Sequence, residues 1–154
     1  MFVVKKKIIL VGVLFSMLLI LTGCGNKKAL TTEEFTNLAN ENGFTISDAT
    51  SQFTDSYVSK ATLALKDGYQ IEFYVIDNVE NSKKMFEYNK NQFQNYKSGV
   101  STELSKSVGN YSTYLLQSNG YYMYLSRIDN TLIYIRTDIS YKEEVKSFVE
   151  KIGY

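Results

Sequence analysis

The chain has 154 residues, with 17 basic and 16 acidic side chains, a formal charge of +1, no histidine, tryptophan or proline, and one cysteine. This excludes Ser-His-Asp and Cys-His catalysis, an intrachain disulfide and a His/Cys metal set, and it lacks the basic excess of a nucleic-acid binder. Thirteen tyrosines and nine phenylalanines supply the aromatic mass of a core that a chain of this length can bury.

Lys5, Lys6 and Lys7 precede a mostly apolar run of 14 residues, Ile8 to Leu21. A bilayer span needs about twenty, whereas a basic flank and a short apolar core suit a secretory signal. Leu21-Thr22-Gly23-Cys24 comes next: a branched apolar residue, two small residues and the only cysteine. This motif resembles the lipobox, and residues 1–24 resemble the export signal of bacterial lipoproteins. The resemblance implies that the Cys24 thiol receives a diacylglyceryl group and that a peptidase cuts between Gly23 and Cys24. Fatty acyl chains such as palmitate then hold the chain at the extracytoplasmic face of the cell membrane. Each buried CH2 contributes about 0.8 kcal/mol and a single chain holds only marginally, so lasting anchorage takes two or three.

Loss of residues 1–23 removes Lys5, Lys6 and Lys7 from the 17 basic groups and takes no acid, leaving 14 against 16, a balance of −2. Residues 24–30 are then the lipidated cysteine and a short tether, and residues 31–154 a single domain. Six residues, Gly25 to Leu30, reach about 20 Å when extended. Lys27 and Lys28 would face the lipid headgroups and be drawn weakly to anionic lipid.

Thr31 and Glu34 form a capping box that opens the first helix. Leu30 and Phe35 staple it, Phe35, Leu38 and Ala39 form its apolar face, and Gly43 closes it. Phe44 to Phe53 holds a brief strand and a polar loop. Tyr57 to Ile76 is a hairpin turning at Lys66-Asp67-Gly68. A two-residue loop would pair Leu65 with Gln70 and Leu63 with Glu72, mixing polar and apolar residues on both faces. A three-residue loop pairs Leu65 with Tyr69, Leu63 with Ile71 and Ala61 with Phe73 and gathers the apolar side chains on one face. The longer loop is therefore expected.

Asp77, with Glu80, is the expected cap of the longest helix, which runs to about Tyr96 with Val79, Met85, Phe86, Asn89 and Phe93 in its stripe. A meander follows, with strands near 100–107, 111–117, 121–128 and 131–138 and turns at Gly109-Asn110, Asn119-Gly120 and Asp129-Asn130. Ser140 and Glu143 are the expected box of a last helix burying Val145, Phe148, Val149 and Ile152. The fold class is α+β in the order α-ββ-α-ββββ-α, an antiparallel sheet (hairpin plus β-meander) with about three helices packed on one face. The run Asp129 to Tyr134 and the Ile152-Gly153-Tyr154 end resemble small Gram-positive surface lipoproteins, a resemblance that carries no site residues.

No catalytic motif, cofactor loop or metal loop stands out. Glycoside cleavage needs two carboxylates in a cleft; Glu72, Asp77, Asp129 and Asp138 are the available acids, with capping and turn formation as their plainer roles. A Ser-Lys dyad has no spacing to single it out. The constellation to follow is Arg127, Arg136, Tyr134 and Tyr114. A two-residue loop at Asp129-Asn130 faces Arg127 with Leu132, Leu125 with Tyr134 and Met123 with Arg136. That puts the only two arginines on one sheet face, about 13 Å apart by strand rise, with Tyr134 between them and Tyr114 alongside. Ile128, Ile133, Ile135 and Tyr124 line the other face, expected as the core. The Arg-Tyr face is open to two readings: a recognition surface, or a solvated face whose tyrosines are good strand formers. The expected protein is thus a non-enzymatic, lipid-anchored binding protein. Membrane lipid is its first partner, and an envelope protein or small ligand its second. An envelope enzyme or enzyme accessory using carboxylates, and an immunity- or stress-type lipoprotein, are the alternatives.

Overall fold

Residues 25–54 and 56–154 are described in a computed structural model of the protein. The expected signal segment and Cys24 lie outside the described residues. In chain order come α1 (Thr32–Glu41), β1 (Thr45–Asp48), a 3-10 turn (Thr50–Phe53), β2 (Val58–Lys66), β3 (Tyr69–Ile76) and α2 (Val79–Asn95). Then follow β4 (Thr102–Val108), β5 (Tyr111–Ser118), β6 (Tyr121–Ile128), β7 (Thr131–Asp138), a second 3-10 turn (Ile139–Tyr141) and α3 (Lys142–Lys151). The α+β class and the order of helices, hairpin and meander are as expected, with β1 as the brief strand. The sheet has seven antiparallel strands in the order β1-β2-β3-β7-β6-β5-β4.

Local chemistry explains the helix starts, with two departures from expectation. The Thr31–Glu34 box is formed: Glu34 N–H donates to Thr31 Oγ1 at 3.1 Å and Thr31 N–H to Glu34 Oε2 at 2.8 Å. At α2 the cap is Asn78 rather than Asp77, because Asn78 Oδ1 accepts from Asn81 N–H at 2.8 Å. Asp77 instead receives the Asn81 side-chain amide. Before α3 there is no Ser140–Glu143 box. Asp138 accepts from Ser140 N–H and caps the 3-10 turn that leads into the helix.

The β2–β3 turn also departs from expectation. Lys66 pairs with Tyr69, Leu65 with Gln70 and Leu63 with Glu72, so the loop has two residues. Asp67 (φ 46°) and Gly68 (φ 88°) both take positive φ, the requirement of the turn whose twist matches the flanking strands. The shorter loop puts Ala64, Tyr69 and Ile71 on the buried face and leaves Leu65 opposite Gln70 and Leu63 opposite Glu72 on a face that is only partly covered, where polar and apolar residues coexist.

Burial of both faces is the main correction to the expected packing. One face carries Phe73, Ile133, Ile135, Tyr122 and Ile128 beneath Phe35 and Ala39 of α1 and Val145, Phe148 and Val149 of α3. Phe35 stacks on Phe73 with ring centroids 4.5 Å apart. The other face carries Tyr114, Leu116, Met123, Leu125 and Leu132 beneath Phe86 and Phe93 of α2. The helices therefore divide two against one. Strands such as Leu132-Ile133-Tyr134-Ile135 are apolar at successive positions, which a sheet covered on both faces requires. A 17-residue helix extends about 25 Å, the length of an eight-residue strand, so α2 crosses the sheet from end to end. Ser82 Oγ pins its start to Asp129 O at 2.6 Å. Asn119 Nδ2 reaches Tyr96 O at 3.2 Å at its far end.

The segment after Cys24 is not a free tether. Lys27 N–H donates to Asn110 Oδ1 at 2.9 Å, and Asn110 Nδ2 donates to Lys27 O at 2.7 Å. Lys27 Nζ donates to Gly153 O and lies 4.9 Å from the Tyr111 ring centroid. Leu30 N–H donates to the Tyr154 hydroxyl, and Lys28 pairs with Glu34 at 2.6 Å. Both lysines are thus engaged with the protein. Residues 27–30 form a strap across the β4–β5 turn and the C-terminal residues. Gly109 makes room for it: a Cβ there would meet the Gly25 carbonyl and lie 2.7 Å from Asn26 Oδ1.

Phe93→Ala should destabilise the protein by about 3–5 kcal/mol, because Phe93 of α2 is fully buried between the helix and the sheet. Tyr88→Ala, on the outer side of the same helix, should stay within about 0.5 kcal/mol; urea unfolding checks both. Gly109→Val should displace the strap and speed limited trypsin cleavage after Lys27 and Lys28, with the rest of the domain staying resistant.

Candidate functional site

The predicted Arg-Tyr face has the predicted register: Arg127 is opposite Leu132, Leu125 opposite Tyr134 and Met123 opposite Arg136, with Tyr114 beside Leu125. It is not an open surface, because α2 lies on it. Tyr114 is 0% exposed and Arg127 3%. Arg127 donates to Asp129 O at 3.0 Å and to Ser112 Oγ at 3.3 Å, which ties the β5–β6–β7 end together. Tyr114 donates to Glu103 Oε1 at 2.9 Å. Arg136 is exposed at the opposite end, where its guanidinium lies 4.1 Å from the Tyr96 ring centroid and 4.9 Å from that of Tyr121. The four residues are therefore not brought together as one binding face. Arg127 and Tyr114 are core, Arg136 is held by two rings beside an open depression, and Tyr134 borders a separate cavity.

That cavity, about 400 Å³, lies between the Thr50–Phe53 turn, the start of β2, the middle of β3 and the outer side of α2. The lower end of the usual range for small-molecule sites is about 300 Å³. Glu72 and Tyr134 are direct neighbours across β3 and β7, and Tyr74 lies two residues along on the same face. Phe53 meets Tyr74 nearly at right angles, centroids 5.4 Å apart and planes at 80°. Tyr134 leans on Phe93 at 5.0 Å. Met85, Tyr88 and Tyr57 complete the wall, the last two at its rim.

The Glu72 carboxylate accepts from Gln70 Nε2 at 2.7 Å on one oxygen and from the Tyr74 hydroxyl on the other. Both donors are neutral, and a carboxylate has about four acceptor positions, so capacity is left over. Burial, then the Glu72 charge, push the Tyr74 phenol well above its ordinary range, and the same two causes raise Tyr134. Both rings are thus neutral hydrogen-bond donors at any physiological pH.

The other three acids singled out in the sequence are occupied with structure. Asp77 holds Asn81, Asp129 Oδ2 accepts from Asn110 Nδ2 at 2.9 Å, and Asp138 caps Ser140. A wider, open depression of about 780 Å³ at the opposite sheet end is lined by Asp67, Tyr69, Tyr121, Arg136, Asp138 and Tyr141. Its two acids are a turn residue and that cap.

Glu72 is the acid whose weight the sequence understated. A charge in the centre of Tyr69-Gln70-Ile71-Glu72-Phe73-Tyr74 is a visible signal. Its companions Phe53, Tyr57, Tyr74, Met85 and Tyr88 have none, since they come from a 3-10 turn, the segment before β2, β3 and α2. No family model, no curated protein and no solved structure matches the chain.

Glu103, the acid beneath Tyr114, supplies a pH test. Lys97 foremost, then Gln94 and Tyr114, hold its carboxyl at about 2, below its ordinary 4.5. Its contribution to stability is complete above the ordinary value and disappears as the pH falls towards the depressed one. The difference in melting temperature between wild type and Glu103→Gln should therefore be steady near neutrality and shrink between pH 4.5 and about 2.

Proposed function

We propose that this is a lipid-anchored, extracytoplasmic binding protein without catalytic activity of its own, holding a small ligand close to the membrane surface. The observation that carries the reading is the docked strap. The chain engages the domain at Lys27, three residues after Cys24, so at most roughly 10 Å of chain separates an acylated cysteine from the folded body. Such an anchor would turn the β4–β5 turn, the β6–β7 turn and the C-terminal residues towards the headgroups. Among the described residues no helix is long and apolar enough to cross a membrane, so the reading depends on Cys24. Catalysis by a carboxylate pair is the less favoured reading, because Glu72 is the one acid lining the 400 Å³ cavity among the described residues.

Cys24→Ala should release the protein into the medium or leave an uncleaved precursor in cell fractionation. A processed Cys24→Ala chain that still sediments with the membrane would overturn the anchoring reading.

A further inference from the structure

Several cations of this protein lie over aromatic rings or pair with acids. Among the described residues, lysine or arginine lies over Tyr111, Phe44, Tyr114, Tyr96 and Tyr121. Seven ion pairs among the described residues link lysines to Asp48 and to six glutamates. The 400 Å³ cavity, lined by five aromatic rings, has neither among the described residues. None of those ion pairs includes Glu72, and none of those cation–π contacts uses Phe53, Tyr57, Tyr74, Tyr88 or Tyr134.

A half-buried carboxylate held only by neutral donors retains an uncompensated charge, and aromatic faces attract a cation most strongly where water is excluded. The two features converge in one concavity. Its floor is Glu72, two walls are the perpendicular rings of Phe53 and Tyr74, and Tyr134 stands opposite across the β3–β7 seam.

We infer that this cavity is a cage for a small free alkylammonium compound, its charged head against Glu72 and its N-alkyl groups against the rings. A neutral apolar ligand would leave the Glu72 charge desolvated and unpaired, and an anion would be repelled by it. A compact onium head satisfies both the acid and the rings, and a cavity of about 400 Å³ has room for it with a short tail. This inference deepens the binding-protein reading and rests on it, but it does not depend on the lipid anchor. The fractionation of Cys24→Ala and the binding experiment therefore fail separately.

The test uses the full-length protein in maltoside micelles, titrated calorimetrically with choline, tetramethylammonium and 3,3-dimethylbutan-1-ol, the neutral carbon isostere of choline. Both ammonium probes should bind and saturate, and the isostere should bind at least about tenfold more weakly. Glu72→Gln, which keeps the shape and one hydrogen-bond acceptor, should lose about tenfold or more in affinity for choline. Circular dichroism checks its fold. Tyr88→Leu, at the exposed rim where folding is not at stake, should weaken choline severalfold. Absence of binding by wild type at millimolar probe overturns the inference. So does equal binding of the isostere, or unchanged choline affinity in a folded Glu72→Gln. Competition by phosphatidylcholine vesicles where free choline fails to bind would overturn the assignment to a free compound.

Discussion

Strand β3 lies against β7 through Glu72–Tyr134, Phe73–Ile133, Tyr74–Leu132 and Val75–Thr131, and this seam joins a hairpin to a meander that α2 separates in the chain. The remaining architecture follows from it. Pairing the third strand with the last puts β4 at the far edge of the sheet, so the chain between β3 and β4 must pass over the three strands between them. That passage is α2, and its apolar side chains, Phe86 and Phe93, cover a face that would otherwise be exposed. The same seam sets Glu72 beside Tyr134 and so makes the floor of the cavity.

Covering both faces changes what each polar group on the sheet can be. Arg127, buried and bonded to Asp129 O, is a structural clamp at one end of the meander. Tyr114 reaches Glu103, which in turn holds Lys97 just beyond α2, so that a core phenol and a surface ion pair belong to one network. At the other end Arg136 lies between Tyr96 and Tyr121, joining the C-terminal end of α2 to β6 and β7. There its positive charge also complements the negative end of the helix dipole. Where α2 no longer reaches, above β2 and β3, the sheet face is left concave, and the polar group found there is Glu72. The cavity is thus a consequence of one helix covering a sheet wider than itself.

The strap gives the molecule a defined end. Lys27, Asn110, Gly153 and Tyr154 hold together residues 27–30, a hairpin turn and the last residues. Tyr154 is shared further, its hydroxyl lying 2.5 Å from Thr131 Oγ1 beneath the sheet. A domain anchored just before this strap could not swing on a long linker. Any anchor just before the strap therefore dictates the orientation of the whole body.

Local chemistry was legible in the sequence. Thr31 with Glu34, the Asp-Gly and Asn-Gly turns, and the helical spacing of Val145, Phe148, Val149 and Ile152 each depend on residues within a few positions of one another. So did the β6–β7 register that places Arg127 and Arg136. Only the tertiary structure decided which face was covered, since burial depends on where a distant helix comes to rest. The apolar runs in β6 and β7 hinted at two covered faces, but at the turn end of the hairpin one face is only partly covered, so residue type alone pointed to the wrong loop length. The cavity was further still from view. Its residues extend from Phe53 to Tyr134 and meet only because β3 pairs with β7 and α2 folds back over them. Sequence by itself determined the elements, their order and the candidate anchor, because those follow from short-range sterics and hydrogen bonding. The site was decided by long-range packing, which no local pattern encodes.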